Sequence, residues 1–219
     1  SSSDYRTFYL HEASEPLLWD GDLRLPRAIL SYFGIEHGIS MFLASEVPPG
    51  TGLGSSGAVA AAIVKAISTA LGLQMNKGEV AELACHIEMD ILGEPVGKQD
   101  QYASASGGLN WIEFSPEGVR VTPLRLKPEI ERQLERSLLL FFTGSSRSSS
   151  EILKNQTESS QRQDATVIEA LHKVKAMAYE VRATLQRGDL ARYGELLHEN
   201  WEQKKRFAQG ISNPFIDES

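Results

Sequence analysis

Residues 48–67 read PPGTGLGSSGAVAAAIVKAI. The two prolines end whatever precedes them, because proline donates no ladder hydrogen bond. Glycines and serines then run directly into an apolar stretch, and residues 57–72 have the composition of a helix. That helix is apolar or small nearly all round, with Lys65, Ser68 and Thr69 as a narrow polar stripe, which predicts burial on most sides. Upstream, residues 38–47 (GISMFLASEV) read as a buried strand, apolar on both faces. Strand, Gly-rich loop and helix in that order form a phosphate cradle. Glycine lets the backbone approach a ligand closely, and the first N–H groups of a helix, at the positive end of its dipole, attract an anion. A flexible linker of similar composition would not be pinned between two buried elements.

Two common phosphate loops fit poorly. A Walker A loop needs a lysine after its last glycine, and Ser55 follows Gly54. Gly52, Gly54 and Gly57 do satisfy G-x-G-x-x-G. The dinucleotide fingerprint also needs an acidic residue opening a second strand about 20 residues on. Residues 76–79 (NKGE) instead look like a capping box that starts a helix, with Asn76 as cap and Glu79 reaching back.

That helix is expected to run to about Leu92, with Gly93 as its stop and Pro95 beyond. Residues 4–10 read as a strand and 24–34 as a short helix ended by Gly34. LNWIEF, VRVTPLRL and SLLLFFTG are three strand candidates between residues 109 and 144. Apolar positions 167, 171, 174, 178, 181 and 185 predict a helix over 163–187, ended by Gly188. Asp189 then caps another at about 190–208. Mixed strands and helices, with two helices gathered at the end, indicate an α+β class.

Composition excludes several functions. The net charge is −7, so the basic footprint of a nucleic-acid binder is missing. No apolar run approaches the roughly 20 residues of a membrane span, and SSSDYRTFYL has no secretory pattern. The one cysteine, Cys85, rules out an internal disulfide and reads as a plain structural thiol. Cysteine and histidine show no metal-ligand spacing, and the five histidines no pairing. The compartment indicated is the cytoplasm.

Taken whole, PPGTGLGSSGA resembles the second motif of the GHMP kinases (galactokinase, homoserine kinase, mevalonate kinase, phosphomevalonate kinase), P-x-x-x-G-L-G-S-S-A. The stretch matches it from a proline through Ser56, except that Gly57 stands where alanine is usual. Glu88 and Asp100 have the spacing of that family's metal ligand and catalytic aspartate. Residues 96–110, 143–153 and 196–217 more narrowly resemble the kinases of D-glycero-D-manno-heptose phosphate.

The resemblance implies a two-part GHMP fold, with an ATP-binding portion at 1–136 and a smaller C-terminal portion, helices on a sheet, at 137–219. It implies ATP and Mg²⁺, and transfer of the γ-phosphoryl group to a hydroxyl of a heptose phosphate of the 7-phosphate type. Pro49, Gly50, Gly52, Leu53, Gly54, Ser55, Ser56 and Gly57 would bind ATP, the backbone N–H groups of Gly52 to Ser56 cradling its phosphates. Ser56, or failing it Ser55, would offer a hydroxyl to Mg²⁺, and either could equally cap the helix. Glu88 would be the carboxylate ligand. The helical wheel leaves open whether Glu88 or Asp90 faces inward, because they flank the apolar face on opposite edges. Asp100 would be catalytic, or simply a cap for QYASAS. Gln101 and Arg147 would meet the substrate, with an exposed loop arginine the plainer reading of Arg147. Lys98 reads as a loop lysine or a charge partner.

The family's first and third motifs have no counterpart here, so the expectation is an internal part of a longer kinase with little activity of its own. Other readings are another GHMP kinase, acting on galactose, fucose or a mevalonate-type acid, and a non-catalytic nucleotide or sugar binder. A dinucleotide-dependent oxidoreductase is more remote.

Overall fold

The computed structural model describes residues 23–45, 51–141, 149–162, 164–208 and 210–217. The chain forms two compact units, Ser1–Thr122 and Pro123–Ser219.

The first unit is built around helix α2 (Ser55–Ala70). Ala60, Ala61, Ile63, Val64 and Ile67 of α2 meet Ala28 and Ile29 of α1 (Arg24–Tyr32) and Val80 and Ala84 of α3 (Lys77–His86) in one core. Small residues on α2 let its neighbours come close, and large ones fill the gaps; each fully buried Ile or Val contributes about 1.5–3 kcal/mol. The helix ends in a Schellman motif: Gly72 takes φ +73°, the N–H of Leu73 reaches Ser68 O at 2.8 Å and that of Gly72 reaches Thr69 O at 3.0 Å. The expected polar stripe is corrected in one place. Ser68 is fully buried because its hydroxyl donates to Lys65 O, so it needs no water. The exposed face carries Ala58, Ala62, Lys65, Ala66 and Thr69.

The capping box of α3 is present as read: Asn76 Oδ1 accepts from Glu79 N, and Glu79 Oε2 accepts from Asn76 N. The helix then widens into a π-turn, Ile87–Ile91, in which Leu92 N bonds Ile87 O at 3.0 Å. Gly93 stops it at φ +67°. Helix α4 (Gln99–Ser106) packs on α2 and α3, and the hairpin β1 (Asn110–Ser115) and β2 (Gly118–Pro123) follows.

The second unit holds α5 (Pro128–Ser137), α6 (Ser149–Gln161), α7 (Ala165–Arg187), α8 (Leu190–Lys204) and α9 (Pro214–Asp217). Gly188 closes α7 at φ +77° and Asp189 caps α8 through Arg192 N, so the sharp turn between the last two long helices is as read. Helices α5 and α6 were not anticipated.

Two strand expectations are corrected. Within 38–45 only Leu43 makes a bridge, and Ile39 and Phe42 are exposed. Residues 138–141 form no strand and are exposed too. The single bridge at Leu43 does not extend into a strand among the described residues, and residues 46–47 and 142–144 of these two runs lie outside them. The expected strand at 4–10 lies outside the described residues. Among the described residues, no helix is long and apolar enough to cross a membrane.

Candidate active site

The loop before α2 is bent by Gly52 at φ +76° and by Gly54, the residue capping α2, at φ +70°. Both values lie in the left-handed region that suits glycine. No side chain caps α2, and its first helical bond runs from Ala58 N to Gly54 O. The N–H groups of Ser55, Ser56 and Gly57 therefore lie at the open positive end of the helix, as a phosphate cradle requires. Of the ATP-binding residues implied by the motif, Gly52 to Gly57 are described, while Pro49 and Gly50 lie outside the described residues, as does Arg147.

Asp100 is seated directly against this loop. A Cβ built on Gly57 would stand 2.8 Å from Asp100 Cβ and 3.0 Å from Gln101 N; one on Gly54 would stand 2.9 Å from Asp100 Cγ. The backbone of Gly57 thus rests on that of the first turn of α4, and the Asp100 side chain lies against Gly54. Asp100 is not the cap of α4. That position falls to Lys98, and Asp100 sits inside the first turn. Its carboxylate is exposed and makes no hydrogen bond or ion pair among the described residues.

Glu88 resolves the ambiguity of the helical wheel. It is 2% exposed, whereas Asp90 points outward and pairs with His86 at 2.8 Å. The π-turn explains the choice. One extra residue in the turn rotates the register, so that Ile87 and Glu88 are both buried. The His86–Asp90 contact also corrects the expectation that no histidine is paired. Gln101 Nε2 donates to Glu88 Oε2 at 2.6 Å, and the Ser56 hydroxyl bonds the same carboxylate.

Gln101 was expected to meet the substrate. It is 1% exposed and spends its amide N–H on Glu88, while its Oε1 is buried with no hydrogen-bond partner among the described residues. Glu88, Ser56 and that orphaned oxygen form a set of hard oxygen donors beside the cradle. Among the described residues no three Asp, Glu, His or Cys side chains converge on a metal position. Mg²⁺ needs only one or two carboxylates when phosphates and waters complete its shell, so these residues fit it.

Burial raises the Glu88 carboxyl above its ordinary range; the bonds from Gln101 and Ser56 hold it back, and the charge of Asp100 raises it further. A carboxyl harder to ionise folded than unfolded binds more protons in the folded state. Its contribution to stability is therefore intact below the ordinary carboxylate range and is withdrawn as pH rises through the raised value, leaving a penalty at neutral pH. Glu88→Gln is accordingly expected to melt higher than wild type at pH 7 without divalent cation. About 1 kcal/mol of relief corresponds to about 2–4 °C in a chain of this size. The gap should close as pH falls through the titration, and thermal scans between pH 4 and 8 read it. A lower melting temperature at pH 7 would contradict this account of Glu88.

Glu82 and Tyr102 had no place in the sequence reading. Glu82 takes Lys98 Nζ on one oxygen and the Tyr102 hydroxyl on the other, each at 2.6 Å. Cys85 is buried and its thiol is pushed up to about 12, chiefly by burial, in keeping with a structural thiol.

Residues 23–108 match the family model described as GHMP kinases N terminal domain. Residues 23–108 thus form a GHMP kinase N-terminal domain, and the α+β fold is consistent with that of the GHMP kinases the chain is similar to. It is 32% identical to the D-glycero-alpha-D-manno-heptose 7-phosphate kinase of Campylobacter jejuni, over 99% of this chain and 65% of that protein. It is similar in structure to a D-glycero-D-manno-heptose 1-phosphate kinase from Bacteroides thetaiotaomicron, with a TM-score of 0.74 and 32% identity over 94% of this chain and 62% of that one. The mevalonate kinase of Pyrococcus horikoshii is 30% identical over 74% of this chain and 47% of its own length. The chain thus spans a little under two thirds of the heptose phosphate kinases it matches.

Proposed function

We propose that the protein carrying this chain is an ATP-dependent kinase that moves the γ-phosphoryl group to a hydroxyl of a heptose phosphate, of the D-glycero-D-manno-heptose 7-phosphate type. One observation carries the reading: Ser56, at the open N-terminus of α2, bonds the buried Glu88, and Asp100, which makes no hydrogen bond among the described residues, rests on Gly54 and Gly57 of the same terminus. A phosphoryl-transfer site needs those three functions, namely a phosphate cradle, a cation ligand and a group beside the attacking hydroxyl. The similarity to heptose phosphate kinases over nearly the whole chain supports the acceptor class.

In this reading the N–H groups of Gly52 to Ser56 hold the phosphates. Glu88 and the Ser56 hydroxyl would hold Mg²⁺, which would supply positive charge to offset that of the phosphates. Asp100 orients the acceptor hydroxyl and takes its proton as the new O–P bond forms and the bond to the ADP oxygen breaks. Gln101 holds Glu88 in place, and Arg147 is assigned to the substrate phosphate. The ATP-binding portion is placed at residues 1–136 and the C-terminal portion at 137–219, in a cytoplasmic protein.

A non-catalytic binder is the weaker reading. Asp100 is exposed and makes no bond among the described residues, where a binder would have no use for it, and burial raises the Glu88 carboxyl, which a binder has no need to do. The test is steady-state ADP release by the full-length protein with Mg²⁺-ATP over heptose 7-phosphate, heptose 1-phosphate, galactose, L-fucose and mevalonate. The highest kcat/KM is expected with heptose 7-phosphate. A preference for galactose, fucose or mevalonate would overturn the acceptor, and binding of ATP without turnover of any acceptor would favour the binder.

A further inference from the structure

We infer that Glu82 is a positioning residue that clamps the turn carrying Asp100; the inference rests on the reading of Asp100 as catalytic. Asp100 itself has no bond to hold it among the described residues, yet the residues two before and two after it share one carboxylate. Lys98 Nζ donates to Glu82 Oε1 and the Tyr102 hydroxyl to Glu82 Oε2, each at 2.6 Å. Lys98 precedes α4 and Tyr102 lies one turn in, so Glu82, on the neighbouring α3, pins both ends of the first turn of α4.

The other contacts of this turn complete a seat. Gln101 is tied to Glu88, and the backbone of Asp100 and Gln101 rests on Gly57. Tyr102 is a rigid strut: it is 6% exposed, belongs to a cluster with Ala81 and Cys85, and meets Phe114 edge-on at 6.1 Å. The donors suit the acceptor. Lys98 and then Tyr102 hold the Glu82 carboxyl below its ordinary range, so it stays ionised, and burial and Glu82 push the Tyr102 phenol up, so it keeps its proton. The two Glu82 bonds are charge-assisted, and the one to Tyr102 is partly buried, which makes them stronger than exposed neutral bonds.

A single carboxylate on two donors resists rotation and sliding of the turn more than either bond alone. A displacement near 1 Å of a group beside the reacting atoms costs on the order of 100-fold in rate, so loosening this clamp is expected to appear in kcat.

The test compares Glu82→Ala, Glu82→Gln and Tyr102→Phe with wild type and Asp100→Asn in the full-length protein. Glu82→Ala is expected to lower kcat by about 10- to 100-fold with KM for ATP little changed. Glu82→Gln, which keeps an acceptor oxygen, should recover part of the loss, and Tyr102→Phe should fall between. Hydrogen exchange gives a readout without turnover: the hydrogen-bonded amides of α4 from Tyr102 onward should exchange faster in Glu82→Ala, with those of α2 unchanged. Unchanged exchange there overturns the clamp, as does wild-type kcat in Glu82→Ala when Asp100→Asn is inactive. If Asp100→Asn keeps full activity, the reading of Asp100 fails, and with it the purpose of the clamp.

Discussion

Asp100→Asn is expected to lose about 10²- to 10⁴-fold in kcat, the range for removing a positioned proton acceptor. The substitution is nearly isosteric, and the Asp100 carboxylate makes no bond among the described residues that would be broken. The backbone seat of residue 100 on Gly54 and Gly57 involves Cβ, Cγ and main-chain atoms that asparagine retains. Fold and melting temperature should therefore stay near wild type, and Mg²⁺-ATP binding, read by calorimetry, should survive. That combination, intact binding with lost turnover, separates a catalytic role from a structural one. A kcat within about threefold of wild type would remove Asp100 from the chemistry, since even a modest acid–base contribution exceeds that.

The second large effect is expected at Gly57. Alanine in a helix ordinarily gains up to about 1 kcal/mol over glycine, and the similarity to the GHMP motif places alanine at this position. Here the added methyl would lie 2.8 Å from Asp100 Cβ, 3.0 Å from Gln101 N and 3.1 Å from Asp100 C. Two of those atoms are backbone of α4, which cannot swing aside as a side chain would. The helices must separate, at a cost of about 1–3 kcal/mol for overpacking, and Asp100 moves with α4. Gly57→Ala should thus lower both melting temperature and kcat. Gly97→Ala is the control, because a Cβ there meets nothing within 4 Å and its φ is not in the left-handed region. Equal behaviour of the two variants would show that α2 and α4 are not in the contact described. Gly54→Ala should be worse than Gly57→Ala, since it adds a left-handed φ of +70° to a 2.9 Å contact.

Local signals were well legible in the sequence. The capping box of Asn76 and Glu79, the Gly188 stop, the Asp189 cap and the glycine loop before α2 each depend on residues within a few positions of one another. The α5 helix had comparable signals that went unread: Pro128 in the first turn, Glu129 and Glu131 beside it, and Arg136 near the end. The serine-rich start of α6 offered little, because serine is a weak helix former that competes for backbone hydrogen bonds.

Site geometry was legible only where spacing reported it. Helical periodicity could not choose between Glu88 and Asp90, because the π-turn breaks the very period on which the wheel relies. Gln101 faces Glu88 across 13 residues, and Tyr102 faces Glu82 across 20, so only the packing of α4 on α3 brings them together. The apolar runs at 38–45 and 138–141 carry strand composition without forming a strand among the described residues, because composition states a preference that context can override.

The most direct test follows the phosphorus atom itself. The full-length protein, Mg²⁺-ATP and heptose 7-phosphate would be watched by phosphorus NMR as turnover proceeds. Expected is one new sugar phosphate ester for each ADP formed, without free phosphate, and none in Asp100→Asn. ADP matched by inorganic phosphate with no new ester, or an ester formed equally well by Asp100→Asn, would contradict phosphoryl transfer at this site.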